Sequence, residues 1–173
     1  TPLVNLLAPA PYVAFQGALN NTVPHGWHYY WKATNLAGLT DDVIAVIADH
    51  AYTASSPRSY AAMFHMGGAV ARVPHDATAY AGRDVAHNMS IDGVWLPDAS
   101  GEHATAETVW ARGFLHALKP HRAGVYVNFL DADDDTSRVR EAYGDDIYRR
   151  LAEVKAKYDP DNAFHHNKNI RPA

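Results

Sequence analysis

The stretch Tyr143–Pro172, YGDDIYRRLAEVKAKYDPDNAFHHNKNIRP, decides how the rest of the chain is read. Its first half has the period of an amphipathic helix. Ile147, Leu151, Val154 and Tyr158 recur at i, i+4, i+7 and i+11 and share one face, while Arg149, Arg150, Glu153, Lys155 and Lys157 occupy the rest. Asp145 or Asp146 is the expected N-cap, and the lysines near the end suit the helix dipole. Glu153 precedes Lys157 by four residues, the favourable order for an ion pair. The run Tyr158-Asp159-Pro160-Asp161-Asn162 stops the helix. Proline fixes its own φ and disfavours a helical Asp159, and Asp before Pro opens a type I turn well.

Working outward, 173 residues make one domain by length, with enough chain to bury a core. A hydrophobic content of 47% and a charged content of 20% fit a soluble globular chain. The net charge of −4, without basic clusters interleaved with aromatics, argues against a nucleic-acid partner. No apolar run is long enough for a membrane span. The start, TPLVNLLAPAP, lacks a basic region and is too short for a signal peptide, so no targeting signal is expected and the compartment stays open. The absence of cysteine excludes disulfides, thiolate zinc sites and a cysteine nucleophile within this chain.

Tyr12, Phe15 and Leu19 suggest a short helix, broken at Asn20-Asn21-Thr22 and Pro24. Trp27–Thr34 reads as an aromatic strand, with Trp27, Tyr29 and Trp31 on one face and His28, Tyr30 and Lys32 on the other. Thr40 caps a helix with Asp41 and Asp42 in its first turn and an apolar stripe of Val43, Ile44, Ile47, Ala48 and Ala51. Tyr60–Met66 is a second strand, which Gly67-Gly68 bends and Ala69–Val73 continues. Val85–Trp95 is a third, with Asn88, Ser90 and Asp92 on one face. A helix capped by Ser100 runs to about Leu118, burying Val109, Phe114, Leu115 and Leu118. Gly124–Phe129 is a last strand, setting Tyr126 and Asn128 against Val125, Val127 and Phe129. Alternating strands and helices allow parallel βαβ units, but no helix separates the strands near 60–73 and 84–95, which favours antiparallel pairing there.

Each strand has an apolar face and a polar one. Gathered on one sheet face, the polar sets (His28, Tyr30 and Lys32; His65; Asn88, Ser90 and Asp92; Tyr126 and Asn128) would meet either water or a ligand. Eleven histidines carry no metal motif: His25/His28, His116/His121 and His165/His166 lack a third convergent ligand, and no metal is expected. Asp131–Asp135 lacks the glycine and closing glutamate of a calcium loop and reads as a solvated turn.

The closing stretch resembles the C-terminal signature of the berberine-bridge-like FAD-linked oxidases: a helix, a K-x-K/R-Y-D-P-x-N-x-F turn and an N-x-N-I-x-P tail. The matching residues are Lys155, Tyr158, Asp159, Pro160, Asn162, Phe164, Asn167, Asn169, Ile170 and Pro172. The likeness continues through Gly124–Phe129, Val139-Arg140, Ala142-Tyr143-Gly144, Gly67-Gly68-Ala69 and Tyr30-Trp31-Lys32. It implies an α+β fold: a mostly antiparallel sheet backed by helices, with the last helix and tail returning toward an FAD-binding domain that this chain does not contain. Residues 1–123 would be the substrate-binding sheet and helix part, and 124–173 the berberine-bridge-like segment of the same structural unit. The partners implied are that FAD-binding domain, or a companion chain carrying it, and a small-molecule substrate.

By the same resemblance the sheet roofs the active site over the flavin. Tyr126 and Asn128 fall on a Y-x-N motif near flavin and substrate, and Tyr30 on an aromatic substrate-side position. Asn88 and Ser90 fall on a pair that supplies charged or amide groups, sometimes the catalytic base, in relatives. Asparagine is no base, and serine needs a partner to act as one. The expected catalytic residues are therefore Tyr126 and Tyr30, with Lys32 as a cation that lowers a tyrosine pKa. His65, Asn88, Ser90 and Lys32 line the substrate. Tyr126, Asn128, Asn167 and Asn169 contact the cofactor. The implied reaction is hydride transfer from an alcohol, sugar or natural-product intermediate to FAD, with O2 as the usual acceptor. Many relatives attach FAD covalently through a histidine and a cysteine of the other domain; this chain has no cysteine to offer. Asn88 and Ser90 leave room for a rival reading, a non-catalytic binding or assembly subunit on the same scaffold.

Overall fold

The computed structural model describes residues 8–18, 20–98, 100–134, 136–166 and 168–173. The elements in chain order are α1 (Tyr12–Gly17), β1 (His28–Leu36), α2 (Asp41–Ala51), β2 (Tyr60–His65), β3 (His87–Trp95), α3 (Glu102–Ala117), α4 (Thr136–Tyr143) and α5 (Asp145–Tyr158). The described strands form one antiparallel sheet in the order β1-β3-β2. This is the expected α+β arrangement of an antiparallel sheet backed by helices. Among the described residues no helix is long and apolar enough to cross a membrane.

α2 starts where the sequence places it: Thr40 Oγ1 accepts from the Val43 amide at 3.3 Å, with Asp41 and Asp42 in the first turn. Two other caps differ from expectation. α5 is capped by Gly144 at φ 71, so Asp145 and Asp146 lie inside the first turn. α3 is capped by Gly101 at φ 71, and Ser100 contributes only an Oγ contact from the Glu102 amide. In both cases a residue in the left-handed region is needed, and glycine adopts it without strain.

α3 packs on one sheet face. Leu36, Met89 and Ile91 meet Trp110, Ala111, Phe114 and Leu118, with Val43 of α2 closing the core. Val109 is exposed rather than buried, because the contact face is centred on Glu107, Ala111 and Phe114. A second core joins the C-terminal third to β1: Ala33 packs with Val125, Leu130, Val139 and Ala142. On α5 only Ile147 of the expected stripe is buried, while Val154 and Tyr158 are exposed. The ion pairs there run Arg149–Glu153 and Lys155–Asp159 instead of Glu153–Lys157.

Two expected strand segments are not strands. Ala69–Val73 forms turns after Gly67 and Gly68, both at positive φ. Gly124–Phe129 is hydrogen-bonded to β1 by its backbone only at its start, where the Asn35 amide donates to the Gly124 carbonyl at 2.8 Å. Gly124, at φ 98, then turns the chain away, and Val127–Phe129 closes a 3-10 turn. The alternation of Val125, Tyr126 and Val127 was genuine, but with β1 paired on this side only near Asn35 and Leu36 no ladder sustains a strand.

Candidate active site

Directly opposed residues of an antiparallel pair share a face, and neighbours along a strand alternate. Tyr30 opposes Gly93, and Lys32 opposes Ile91. A Cβ added at Gly93 would lie 3.0 Å from Glu107 Cβ, so this is the face that α3 covers. His65 opposes His87 on the same face. Asn88, Ser90 and Asp92 occupy the other face, opposed by Asn35, Ala33 and Trp31 on β1 and by Phe64, Ala62 and Tyr60 on β2. The expected single polar face is therefore split by register. Alternation fixes two faces within each strand but not which faces of different strands coincide.

On the helix side, Tyr30 and Lys32 belong to an ion network. Lys32 Nζ donates to Asp133 and, at 3.0 Å, to Asp134. Tyr30 donates to Asp133 at 2.7 Å and accepts from Arg112 Nε at 2.8 Å, while Arg112 also pairs with Asp133. Burial and the Asp133 contact push the Tyr30 hydroxyl up, against the pull of Arg112 and Lys32. That is opposite to what proton abstraction needs. Lys32, placed here, is not the cation beside Tyr126. His65 sits at the far end of this face, with Nδ1 3.5 Å from His87 Nε2.

The free face carries the other set. Asn88 is buried; its Nδ2 donates to Asn35 Oδ1 at 2.8 Å and its own Oδ1 has no partner. Trp31 Nε1 is likewise buried without a partner. Ser90 Oγ donates to Asp92 Oδ2 at 2.5 Å. Burial pushes the Asp92 carboxyl up, against the Ser90 hydrogen bond. Phe129 leans on Phe64 with ring centroids 6.1 Å apart, and Tyr126 meets Phe129 edge-on at 5.4 Å. The Tyr126 turn thus borders the free face. Asn128 Nδ2 donates to the Tyr126 hydroxyl at 2.6 Å. A cavity of about 230 Å³ lies between this turn and Tyr80, Gly82 and Tyr143.

Asn169 lines a different, open concavity of about 1450 Å³, with Asn162, His165, Lys168, Arg140 and Arg171. Asn167 lies outside the described residues. The structure therefore groups Tyr126 with Asn128, and Asn88 with Ser90, while Tyr30, Lys32, His65 and Asn169 stand elsewhere. Asn35 joins the free face as a residue that sequence reasoning passed over, while Asp92 stands there beside Asn88 and Ser90, where the alternation had placed it. Among the described residues no group of three or more His, Asp or Glu could hold a metal.

The arrangement offers unsatisfied hydrogen-bonding groups, one half-buried carboxyl and an aromatic border. Such a surface suits a hydroxylated or heteroaromatic molecule. Residues 125–171 match the family model described as "Berberine and berberine like". The chain is 30% identical to an FAD-linked oxidoreductase of Dictyostelium discoideum, over 99% of this chain and 37% of that protein. It is 27% identical to the glucooligosaccharide oxidase of Sarocladium strictum, over 89% of this chain and 34% of that protein. Among solved structures, the xylooligosaccharide oxidase of Myceliophthora thermophila, in complex with xylobiose, superposes with a TM-score of 0.69 at 26% identity, over 84% of this chain and 33% of that one. The chain spans about a third of the length of the relatives it matches.

Proposed function

Because this chain belongs to the berberine-bridge-enzyme-like family of FAD-linked oxidases, we propose that it is the C-terminal, substrate-side portion of an FAD-dependent oxidoreductase. It would oxidise an alcohol carbon of a sugar or hydroxylated natural product, with O2 as acceptor. Residues 1–123 supply the sheet and its helices, and residues 124–173 complete the same unit. The FAD-binding part is a partner in the same protein or a companion chain. The supporting observation is the free sheet face, where the buried Asn88 Oδ1 has no partner in the row that the Tyr126 turn borders, nor has Trp31 Nε1 in the row at the other end. Buried polar groups are nearly always paired, so such atoms favour a bound molecule.

The residues fit one side of a flavin. Tyr126, Tyr80 and Tyr143 offer aromatic rings and Asn128 an amide, around a cavity of about 230 Å³. That is below the roughly 300–1,000 Å³ of a complete ligand site, so this chain would supply one wall only. When bound, FAD supplies the hydride acceptor. The chain's own residues orient the substrate and handle its proton. Tyr126, held by Asn128, would meet the reacting oxygen, with Asn88 and Ser90 lining the face. Asn169 would face the cofactor side from the tail.

The test is the visible spectrum of the whole native protein, before and after acid precipitation, followed by anaerobic addition of glucose, cellobiose or cinnamyl alcohol. Flavin bands that bleach support the oxidase. Bands that stay in the acid pellet mark covalent attachment. Whole protein without flavin would favour the non-catalytic reading. In the bleaching assay, Tyr126→Phe should slow flavin reduction by about 100-fold; an unchanged rate removes Tyr126 from the role.

A further inference from the structure

The free sheet face has three cross-strand rows. Trp31, Asp92 and Tyr60 form one, Ala33, Ser90 and Ala62 the next, and Asn35, Asn88 and Phe64 the third. Four residues separate the outer rows along β3, about 13 Å at the rise of a strand. The middle row is small, so Ser90 lies at the bottom of a trough between taller rows. On the β1 side Val125 and Leu130 pack over Ala33. On the β2 side Ala62 is half-buried and Tyr60 and Phe64 are exposed, so the trough opens toward β2, with Ser90 at its floor only 7% exposed. Serine alone is a poor base, but this one has a partner. Its Oγ–H points at Asp92 Oδ2, 2.5 Å away, so its lone pairs are free to accept from above. Asp92 has no ion-pair partner among the described residues.

We infer that Ser90 and Asp92 form a proton relay for the hydroxyl group that is oxidised, Ser90 touching the substrate and Asp92 receiving the proton. The inference rests on the oxidase reading above. The substrate hydroxyl gives its proton to Ser90 Oγ as Ser90 passes its own to Asp92. The neighbouring C–H bond breaks, its electron pair and hydrogen leave as hydride to the flavin, and the C–O bond becomes a carbonyl. The substrate loses two electrons, the flavin gains them, and Asp92 ends neutral. Burial, which raises the Asp92 carboxyl, makes it a better acceptor than a solvated aspartate.

The experiment uses the whole flavin-loaded protein with the same three alcohols under anaerobic conditions, comparing wild type, Asp92→Asn and Ser90→Ala. Asn is nearly isosteric, and Ser90→Ala removes only a hydroxyl and carries the same expectation independently. Each variant should slow flavin reduction by about 100-fold or more while the probe's dissociation constant moves by less than about threefold. A second readout does not depend on the rate: the infrared difference spectrum between oxidised and fully substrate-reduced protein, which reports where the proton ends. Wild type should gain the carbonyl band of a protonated carboxyl that shifts on 13C-aspartate labelling, and both variants should lack it. Wild-type bleaching with near-normal rates in both variants, or without the labelled band, overturns the relay alone. If none of the alcohols bleaches the wild-type flavin, the oxidase reading falls and the relay with it.

Discussion

Glu107 is fully buried on α3 with no ion-pair partner among the described residues, yet its carboxylate is well satisfied. It accepts from the hydroxyls of Ser55 and Ser59, each at 2.5 Å, and from the Ser56 amide at 2.7 Å. Ser59 Oγ in turn accepts from the Val94 amide at 2.9 Å. One side chain of α3 thereby shapes the loop that leads into β2 and sets where Tyr60 enters the free face. Glu107→Gln turns one acceptor oxygen into an amide donor that faces other donors. The expected cost is about 1–3 kcal/mol, the range for leaving a buried polar group unsatisfied, read from the urea midpoint. A change of a few tenths would mean that the serines are not organised by Glu107.

At the scale of elements, the closest approach is that of β3 to α3. Gly93 stands where any side chain would press on the helix: an added Cβ lies 3.0 Å from Glu107 Cβ and 3.2 Å from its carbonyl oxygen. A backbone atom cannot step aside as a flexible side chain can. Gly93→Ala should therefore cost about 1–3 kcal/mol by overpacking, measured by denaturation, despite alanine being the better strand residue by entropy. If the variant is as stable as wild type, α3 is free to slide and does not fix the height of the sheet. The 3-10 turn at Val127–Phe129 is the other decisive element. It takes Tyr126 off a strand ladder and sets it beside Phe129 and Phe64.

Across the whole molecule, the acidic turn near Asp133 joins parts distant in sequence. Lys32 of β1, Arg112 of α3 and Arg138 of α4 all reach Asp133 or Asp134, and Arg138 also donates to the Ala33 carbonyl at 2.9 Å. Burial opposes ionisation of Asp133, but hydrogen bonds from Lys32, Arg112 and Tyr30 outweigh it and hold the carboxyl below the usual carboxylate range. Burial likewise opposes the Lys32 charge, and its two aspartates outweigh it, so its pKa is raised. The lowered Asp133 contributes stability above its unfolded pKa of about 3.9, lost as pH falls toward the folded value; the raised Lys32 contributes below about 10.4, lost as pH rises through its folded value. The network should thus hold from about pH 4 to 10. Asp133→Asn should cost about 1–2 kcal/mol at pH 7, allowing for partial exposure, and should flatten the loss of urea midpoint between about pH 4 and 2. An equally steep acid limb in the variant would show that other carboxylates control it.

The sequence by itself determined the elements that local chemistry can write. Thr40 and the two aspartates after it start α2, the Asp159-Pro160 step ends α5, and period-two runs mark β1, β2 and β3. The closing signature also named the family, because a long ordered series of residues is specific where any one piece is not. Only the tertiary structure decided which polar residues meet. Tyr30 and Ser90 each alternate correctly in their own strands, and the register between those strands puts them on opposite faces. Lys32 left the expected site for Asp133 and Asp134, partners 101 and 102 residues away. A buried ammonium needs a counter-charge, and no local pattern says which acidic turn will supply it.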